Sequence, residues 1–173
     1  MHMIFRTFII FLKKRFFVKK PFNEITLIKM RVLPTDLDLL MHVNNGVYFS
    51  FMDFGRWDAI FRNGVYDLSR KKGWYSVVAG ETIRFRRSLK LWDKFTLETK
   101  ILGYDEKYFF IRQRFLLKGE LMASGLVKVR FLKKTGGTVS TTEVMDEFKD
   151  QQLVNEAQEL AREWLDIDGR FLV

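Results

Sequence analysis

Ten consecutive residues, 36–45, concentrate chemically useful side chains in an otherwise apolar stretch. They read Asp-Leu-Asp-Leu-Leu-Met-His-Val-Asn-Asn, which places two carboxylates, one imidazole and two amides close together. The residues that follow have a helical pattern, and the start of a helix carries unsatisfied N–H groups and a partial positive charge. A carboxylate is stabilised there, and the N–H groups can hold a developing oxyanion. This combination suits the hydrolysis of a thioester, in which the carboxylate attacks the carbonyl or activates water.

The same residues also have purely structural interpretations. Asp36 or Asp38 could cap a turn, because aspartate often accepts hydrogen bonds from nearby backbone N–H groups. Asn44 and Asn45 are ordinary residues for the start of a helix. His42 could be a structural histidine that makes no contact with a substrate. The spacing alone leaves these alternatives open.

The elements around this stretch indicate an α+β fold. Residues 45–62 have apolar side chains around most of the helix circumference, which predicts a buried helix ended by Asn63-Gly64. Alternating apolar residues predict one strand before the helix and four after it: 26–33, then 76–87, 94–102, 107–117 and 120–132. This order can close into an antiparallel sheet wrapped around one long central helix, which is the hotdog architecture.

The motif in this stretch resembles a known family signature. Asp36-x-Asp38-x-x-x-His42-Val43-Asn44-Asn45, followed by Tyr48, is similar to the signature of the 4-hydroxybenzoyl-CoA type of hotdog thioesterase, and the resemblance covers about residues 26–133. The branch known as thioesterase superfamily members is the most similar. The resemblance implies an acyl-CoA substrate and gives each residue of the motif a role. Asp38 matches the catalytic aspartate, and the backbone N–H of Asn45 faces the thioester carbonyl. His42 is the third residue of the expected catalytic group and shapes the pocket, while Asn44 and Tyr48 are expected to contact substrate.

One position departs from the family pattern. Many relatives have glycine immediately before the histidine, where this chain has Met41. We expect the larger side chain to alter the loop or to narrow the site. This departure also motivates a second hypothesis, a non-catalytic hotdog protein that binds acyl chains or a partner at a membrane. A third, a hotdog dehydratase, would need His42 as its catalytic residue, in a sequence context unlike that family.

Basic residues between the end of the second predicted strand and the start of the third suggest a binding site for phosphate groups. Coenzyme A carries phosphates that such a cluster would bind, although a solvated strand edge is an equal interpretation. The cluster comprises Arg84, Arg86, Arg87, Lys90 and Lys94. We predict no cofactor and no metal, because the chain has no cysteine and only two histidines. We also predict no nucleic-acid partner, since residues 21–173 carry 24 bases against 21 acids, a net charge of only +3.

The composition divides the chain into three parts. Residues 1–20 form a basic amphipathic segment, 21–140 the hotdog domain, and 141–173 an acidic helix and tail. The first segment holds six bases and no acid, and its longest apolar run, 8–12, is too short to span a bilayer. It is suited to peripheral contact with a membrane surface, or to docking on the protein itself or across a dimer. We predict a cytoplasmic homodimer or homotetramer, because the sheet leaves apolar surface and strand edges to cover.

Overall fold

The computed structural model describes Leu12 and residues 17–148. It confirms the α+β hotdog fold. Six strands, three α-helices and two short 3-10 turns follow one another along this part of the chain. In chain order they are β1 (Thr26–Arg31), a 3-10 turn (Pro34–Asp36), α1 (Asn45–Arg62), α2 (Val65–Lys72), β2 (Trp74–Phe85), β3 (Lys94–Tyr104), β4 (Phe109–Leu117), β5 (Glu120–Lys133), β6 (Thr138–Val139), α3 (Thr141–Met145) and a second 3-10 turn (Asp146–Phe148).

The long helix α1 is the centre of the core, as its pattern predicts. Phe51 and Met52 are fully buried, whereas Phe49 and Trp57 are half-buried. Asn44 caps its first turn by accepting a hydrogen bond from the N–H of Gly46 at 2.9 Å. Gly64, at φ +83°, follows the last turn in the left-handed conformation that glycine adopts without steric cost.

The strands form one antiparallel sheet in the order β1-β3-β4-β5-β2, with β6 added beside β5. The sheet curls around α1, so β1 and β2 lie at its two edges. The inward residues of β5 alternate as predicted and are all buried: Ala123, Gly125, Val127, Val129 and Phe131. Edge strand β2 is much less covered, and Trp74 is its only buried residue.

Edge strand β2 departs from the simple alternation expected for it. A bulge between Val78 and Gly80 shifts its pairing with β5, and Ala79 is exposed at that point. An extra residue in one strand reverses the side to which the following residues point. A prediction from strict alternation of apolar and polar residues assumes that no residue is inserted, so it does not detect such a bulge.

Gln113 occupies a position on β4 that would ordinarily hold an apolar side chain. It is fully buried, and its amide nitrogen donates to the backbone oxygen of Met52 and to the Thr99 hydroxyl. Gly55 makes room for it, because a Cβ added there would lie 2.5 Å from the Gln113 amide nitrogen. The hydrogen bonds between Gln113, β3 and α1 fix the helix against the sheet.

The two ends of the chain are described only in part. Residues 17–20 lie against the end of α1, where the Arg62 guanidinium sits 4.4 Å from the centre of the Phe17 ring and the Lys20 N–H donates to the Arg62 carbonyl. The rest of the predicted 1–20 segment and of the 141–173 helix, beyond α3 and the final 3-10 turn, falls outside the described residues. Within the described part, no helix is long and apolar enough to cross a membrane.

Candidate active site

The motif residues form a tight hairpin between β1 and α1. A backbone bridge joins Leu37 to Val43, and the N–H of Asp38 donates to the carbonyl of His42 at 2.8 Å. Asp36 lies fully buried at the base of this hairpin, where its Oδ2 accepts a hydrogen bond from the Leu33 N–H at 2.8 Å. The structure therefore gives Asp36 the turn-capping role that the sequence left open.

Asp38 lies nearer the surface, and its two carboxylate oxygens differ. Oδ1 accepts hydrogen bonds from the N–H of Leu40 at 2.9 Å and from the N–H of His42 at 3.3 Å. Oδ2 makes no hydrogen bond with any described residue. The carboxylate therefore caps its own loop with one oxygen, and this fixes the direction in which the second oxygen is presented.

The start of α1 leaves one backbone donor open beside this loop. The N–H of Gly46 donates to the Asn44 side chain, and the N–H of Val47 donates to the Asn44 carbonyl at 2.9 Å. The N–H of Asn44 donates to the Asp36 carbonyl at 2.9 Å. Among residues 44–47 only the Asn45 N–H has no acceptor within the described structure, so it is the donor free to bind an oxyanion.

The loop that joins β2 to β3, residues 86–93, crosses beneath the hairpin and holds it in place. The N–H of Val43 donates to the Leu89 carbonyl at 3.0 Å, and the N–H of Leu89 donates to the Tyr48 hydroxyl at 3.1 Å. Burial raises the pKa of Tyr48, so its hydroxyl is neutral at physiological pH. Tyr48 is 1% exposed, and it lines neither the cavity between α1 and β2 nor the groove beside β1 and β3. The observed role of Tyr48 is to support the loop, and substrate contact stays a prediction.

Met41 lies at the tip of the hairpin, and its effect on the site stays a prediction. Its backbone takes the left-handed conformation, at φ +59°, that a glycine would adopt in the same hairpin. The side chain is 60% exposed and extends into solvent. The hairpin keeps its hydrogen bonds with methionine in place, at the cost of some backbone strain.

The predicted basic cluster does not form a single patch. Arg84, Arg86 and Arg87 are exposed at the end of β2, where Arg87 pairs with Glu120 of β5. Lys90 lies beside His42 through a backbone bridge. Lys94, by contrast, begins β3 and faces β1 at the opposite edge of the sheet. The connecting loop separates the cations because it runs from one sheet edge to the other.

A cavity of about 130 Å³ lies between α1 and β2, away from the hairpin. It is lined mainly by apolar side chains, with Arg56 and Asp53 among its polar members. The Arg56 guanidinium is almost fully buried, donates to the Gln113 side chain at 3.0 Å and pairs with both Glu81 and Asp53. Burial raises the pKa of Glu81, and the Arg56 charge opposes that rise.

Sequence reasoning missed this charged group beside the cavity. Two charged residues in unusual places could have indicated it: Arg56 lies on the apolar helix α1, and Glu81 lies on the edge strand β2. The cavity also lies far from the hairpin within one protomer, because eleven helical residues from Asn45 to Arg56 span about 16 Å. Phe51 and Met52 of α1 are fully buried core residues and do not line this cavity.

Comparison with known proteins places this fold and motif in context. Residues 32–162 match the family model described as the thioesterase-like superfamily. The chain is 42% identical over 97 residues to Protein THEM6 of Xenopus laevis, a match that covers 56% of this chain and 47% of that protein. It is 26% identical over 101 residues to the long-chain acyl-CoA thioesterase FadM of Escherichia coli, covering 57% of this chain and 76% of that protein. The chain thus spans about half the length of the THEM6 protein from Xenopus laevis.

A solved structure supports the architecture independently. The probable thioesterase YbaW from Escherichia coli superimposes with a TM-score of 0.67 at 23% identity, covering 74% of this chain and 98% of that one. At this level of identity the likeness concerns the fold. The matched part includes a sheet curled around a central helix, which is the framework that presents the hairpin at residues 36–45.

Proposed function

This chain belongs to the thioesterase-like superfamily, and from that premise we propose that it hydrolyses an acyl-CoA to a free acid and coenzyme A. One observation carries the proposal. A carboxylate fixed through one oxygen, that of Asp38, lies in the hairpin that leads into a helix start with an open backbone donor, the Asn45 N–H. Thioester hydrolysis needs a nucleophile or base on one side of the carbonyl and an oxyanion donor on the other.

In the proposed reaction, Asp38 acts as nucleophile or general base, and the Asn45 N–H stabilises the negative charge that develops on the carbonyl oxygen. As a nucleophile, the Asp38 carboxylate forms a bond to the carbonyl carbon, the carbon–sulfur bond breaks, and water then cleaves the resulting anhydride. As a general base, Asp38 takes a proton from the water that attacks the same carbon. In both routes the thiolate of coenzyme A leaves and acquires a proton. The Asn45 N–H donates to the carbonyl oxygen as it gains negative charge.

The surrounding residues have supporting roles in this proposal. His42 and Asn44 shape the hairpin through backbone and side-chain hydrogen bonds, while Tyr48 fixes the loop beneath it. The coenzyme phosphates would bind the cations nearest the hairpin and the end of β2. These are Lys90, Arg84, Arg86 and Arg87, and each is exposed.

A homodimer or homotetramer is part of the same proposal. Edge strand β2 exposes apolar side chains on a strand that has one unpaired side, including Tyr75 and Val78, each 43% exposed. Such an edge is stabilised when a second strand pairs with it. Pairing two copies through β2 would also cover the mouth of the 130 Å³ cavity, which Val78 lines.

A second candidate function is a hotdog protein that binds acyl groups without turnover. The hydrogen bonds of Asp38 favour it, because two backbone N–H groups already engage Oδ1 and give the residue a structural role. The two functions differ in whether Asp38 changes the chemistry of a bound thioester. Both use the same hairpin and the same helix start.

A panel of acyl-CoA substrates tests the proposal. Free thiol release would be followed for short, medium and long aliphatic chains and for one aromatic acyl group, with the full chain and with Asp38→Asn. Turnover of at least one substrate that depends on Asp38 supports the enzyme. Binding of acyl-CoA with no thiol release by either protein would leave the acyl-binding function in its place.

A further inference from the structure

Four large apolar side chains of the hairpin and of the adjoining 86–93 loop extend into solvent. Leu39 is 101% exposed, Leu40 75%, Met41 60% and Trp92 54%, and together we call them the apolar tip. The antiparallel backbone bridge between His42 and Lys90 joins the hairpin to the 86–93 loop, and these two segments supply the apolar tip.

The exposure of the apolar tip is built into the fold. Hydrogen bonds fix its backbone on both sides, from the Met41 N–H to the Asp38 carbonyl at 3.1 Å and from the Trp92 N–H to the Val32 carbonyl at 3.2 Å. Met41 and Trp92 are held at φ +59° and +66°, a left-handed conformation that is sterically unfavourable for a residue with a side chain. Rigidly held clusters of exposed apolar side chains mark sites of interaction.

A basic groove adjoins the apolar tip. The groove has a volume of about 500 Å³, and its lining holds four cations and no carboxylate: Lys29, Arg31, Lys94 and Lys118. Arg31 stands directly opposite Lys94 across the β1–β3 pair, an arrangement of like charges that destabilises a sheet. The groove adjoins Trp92, because Lys94 follows that residue by two positions and Arg31 precedes its hydrogen-bond partner Val32.

We propose that the apolar tip and the basic groove form a docking surface for an anionic phospholipid bilayer. Tryptophan and leucine side chains insert into the interfacial layer of a membrane, where tryptophan is the preferred residue. Lysine and arginine beside them bind the anionic headgroups. A second copy of the chain fits this surface less well, because a two-fold contact would bring the two basic grooves together.

The docking does not depend on the proposed hydrolysis, but the access of a membrane-held substrate to Asp38 rests on that proposed function. Leu39, Leu40 and Met41 belong to the same hairpin as Asp38, so a docked protein would hold the candidate active site against the bilayer. If the proposed function is right, an acyl-CoA whose chain resides in the membrane would reach Asp38 from the lipid side.

A single fluorescent label tests the docking on the full chain. Because the sequence contains no cysteine, Leu40→Cys creates one site for an environment-sensitive dye. Glu106→Cys provides a matched control, because it is exposed in the turn between β3 and β4, at the other end of β3 from Lys94. With vesicles of phosphatidylcholine and phosphatidylserine, the dye at position 40 should brighten roughly twofold or more and shift to the blue as it enters the interface. The dye at position 106 should not change.

The same experiment includes outcomes that would overturn the proposal. A response at both positions, or none at position 40 while the protein sediments with the vesicles, would assign membrane binding to another segment. No binding of the full chain to these vesicles would exclude the docking surface. A response at position 40 that grows with protein concentration and needs no vesicles would identify a second copy as the occupant.

Two charge variants distinguish binding through the basic groove from general attraction between a basic protein and an anionic membrane. Lys94→Gln should weaken binding to the anionic vesicles roughly fivefold, whereas Lys71→Gln, at an exposed position on α2, should change it little. Equal weakening by both variants would overturn the role of the groove. Free coenzyme A should leave the position-40 signal unchanged. If added coenzyme A abolishes that signal, the groove binds the coenzyme and not lipid.

Discussion

The Tyr48 hydroxyl, on the first turn of α1, accepts a hydrogen bond from the backbone N–H of Leu89 at 3.1 Å inside the core. The carbonyl of the same Leu89 accepts the N–H of Val43, so one residue of the 86–93 loop is held by both the hairpin and the helix. Tyr48→Phe would leave the buried Leu89 N–H without an acceptor. We expect the free energy of unfolding to fall by about 1–3 kcal/mol, measured by denaturant titration.

A matched control separates this effect from general disturbance of aromatic residues. Tyr108→Phe removes a hydroxyl from a half-buried ring beside the β3–β4 turn, away from the hairpin, and should change stability by less than about 0.5 kcal/mol. If Tyr48→Phe proves as stable as the unmodified protein, the hydrogen bond to Leu89 does not support the loop.

Asp38→Asn should lower turnover by roughly 100-fold or more, because an amide can act neither as base nor as nucleophile. The amide oxygen can still accept the Leu40 and His42 N–H groups, so we expect the melting temperature to stay nearly unchanged. Asp36→Asn should have the opposite profile, with a small effect on turnover and a loss of stability, because Asp36 is fully buried. Single-turnover kinetics and thermal unfolding of both variants check this. Near-normal turnover by Asp38→Asn would remove Asp38 from the chemistry.

Met41→Gly should stabilise the protein. The backbone at this position is left-handed, and glycine reaches that conformation without the cost of about 1–2 kcal/mol that a side chain incurs. Part of the gain is lost because glycine has more freedom in the unfolded chain, so we expect a net rise of up to about 1 kcal/mol. Because the side chain is exposed, turnover should not change. A drop in melting temperature would mean that Met41 makes contacts that outweigh the strain.

Asp58 should make folding stability depend on pH in an unusual direction. Burial raises the pKa of Asp58, although its ion pair with Arg62 at 2.7 Å acts against that rise. The folded state then binds more protons than the unfolded state, so the stability from this group is present below its unfolded pKa, about 4, and is lost as pH rises through the folded pKa. The stability of Asp58→Asn relative to the unmodified protein should therefore increase from pH 4 to pH 7. Denaturant titrations across that range test the sign, and a flat or falling difference contradicts it.

Light scattering should show a dimer or a tetramer at micromolar concentration. If β2 forms the contact, Val78→Lys should dissociate it, because a lysine on an edge strand prevents strand pairing. Leu27→Lys, on the other edge strand and 56% exposed, should leave the oligomer intact. If Leu27→Lys dissociates the oligomer and Val78→Lys does not, the contact lies at β1. If the unmodified protein is a monomer, the predicted assembly is excluded.

The sequence by itself determined the fold and the place of the hairpin. The apolar circumference of α1, the alternation of β3 to β5 and the spacing from Asp36 to Tyr48 are local patterns, and each reports which side of an element is buried. The Asn44 cap and the glycine at position 64 were predictable for the same reason, since a helix end depends on neighbouring residues. The roles of residues 1–20 and the three-part division of the chain stay predictions.

Only the tertiary structure decided which neighbours each side chain meets. It assigned Asp36 to the buried turn, linked Tyr48 to Leu89 across 41 residues of chain, and joined Arg56 to Gln113 across 57. It separated Lys94 from Arg87 because their loop runs from the β2 edge of the sheet towards the β1 edge, and it joined that loop to the hairpin through the bridge between Lys90 and His42. These outcomes depend on strand order, a bulge and loop paths, which result from packing the whole chain. A periodic pattern describes one element at a time and therefore cannot encode them.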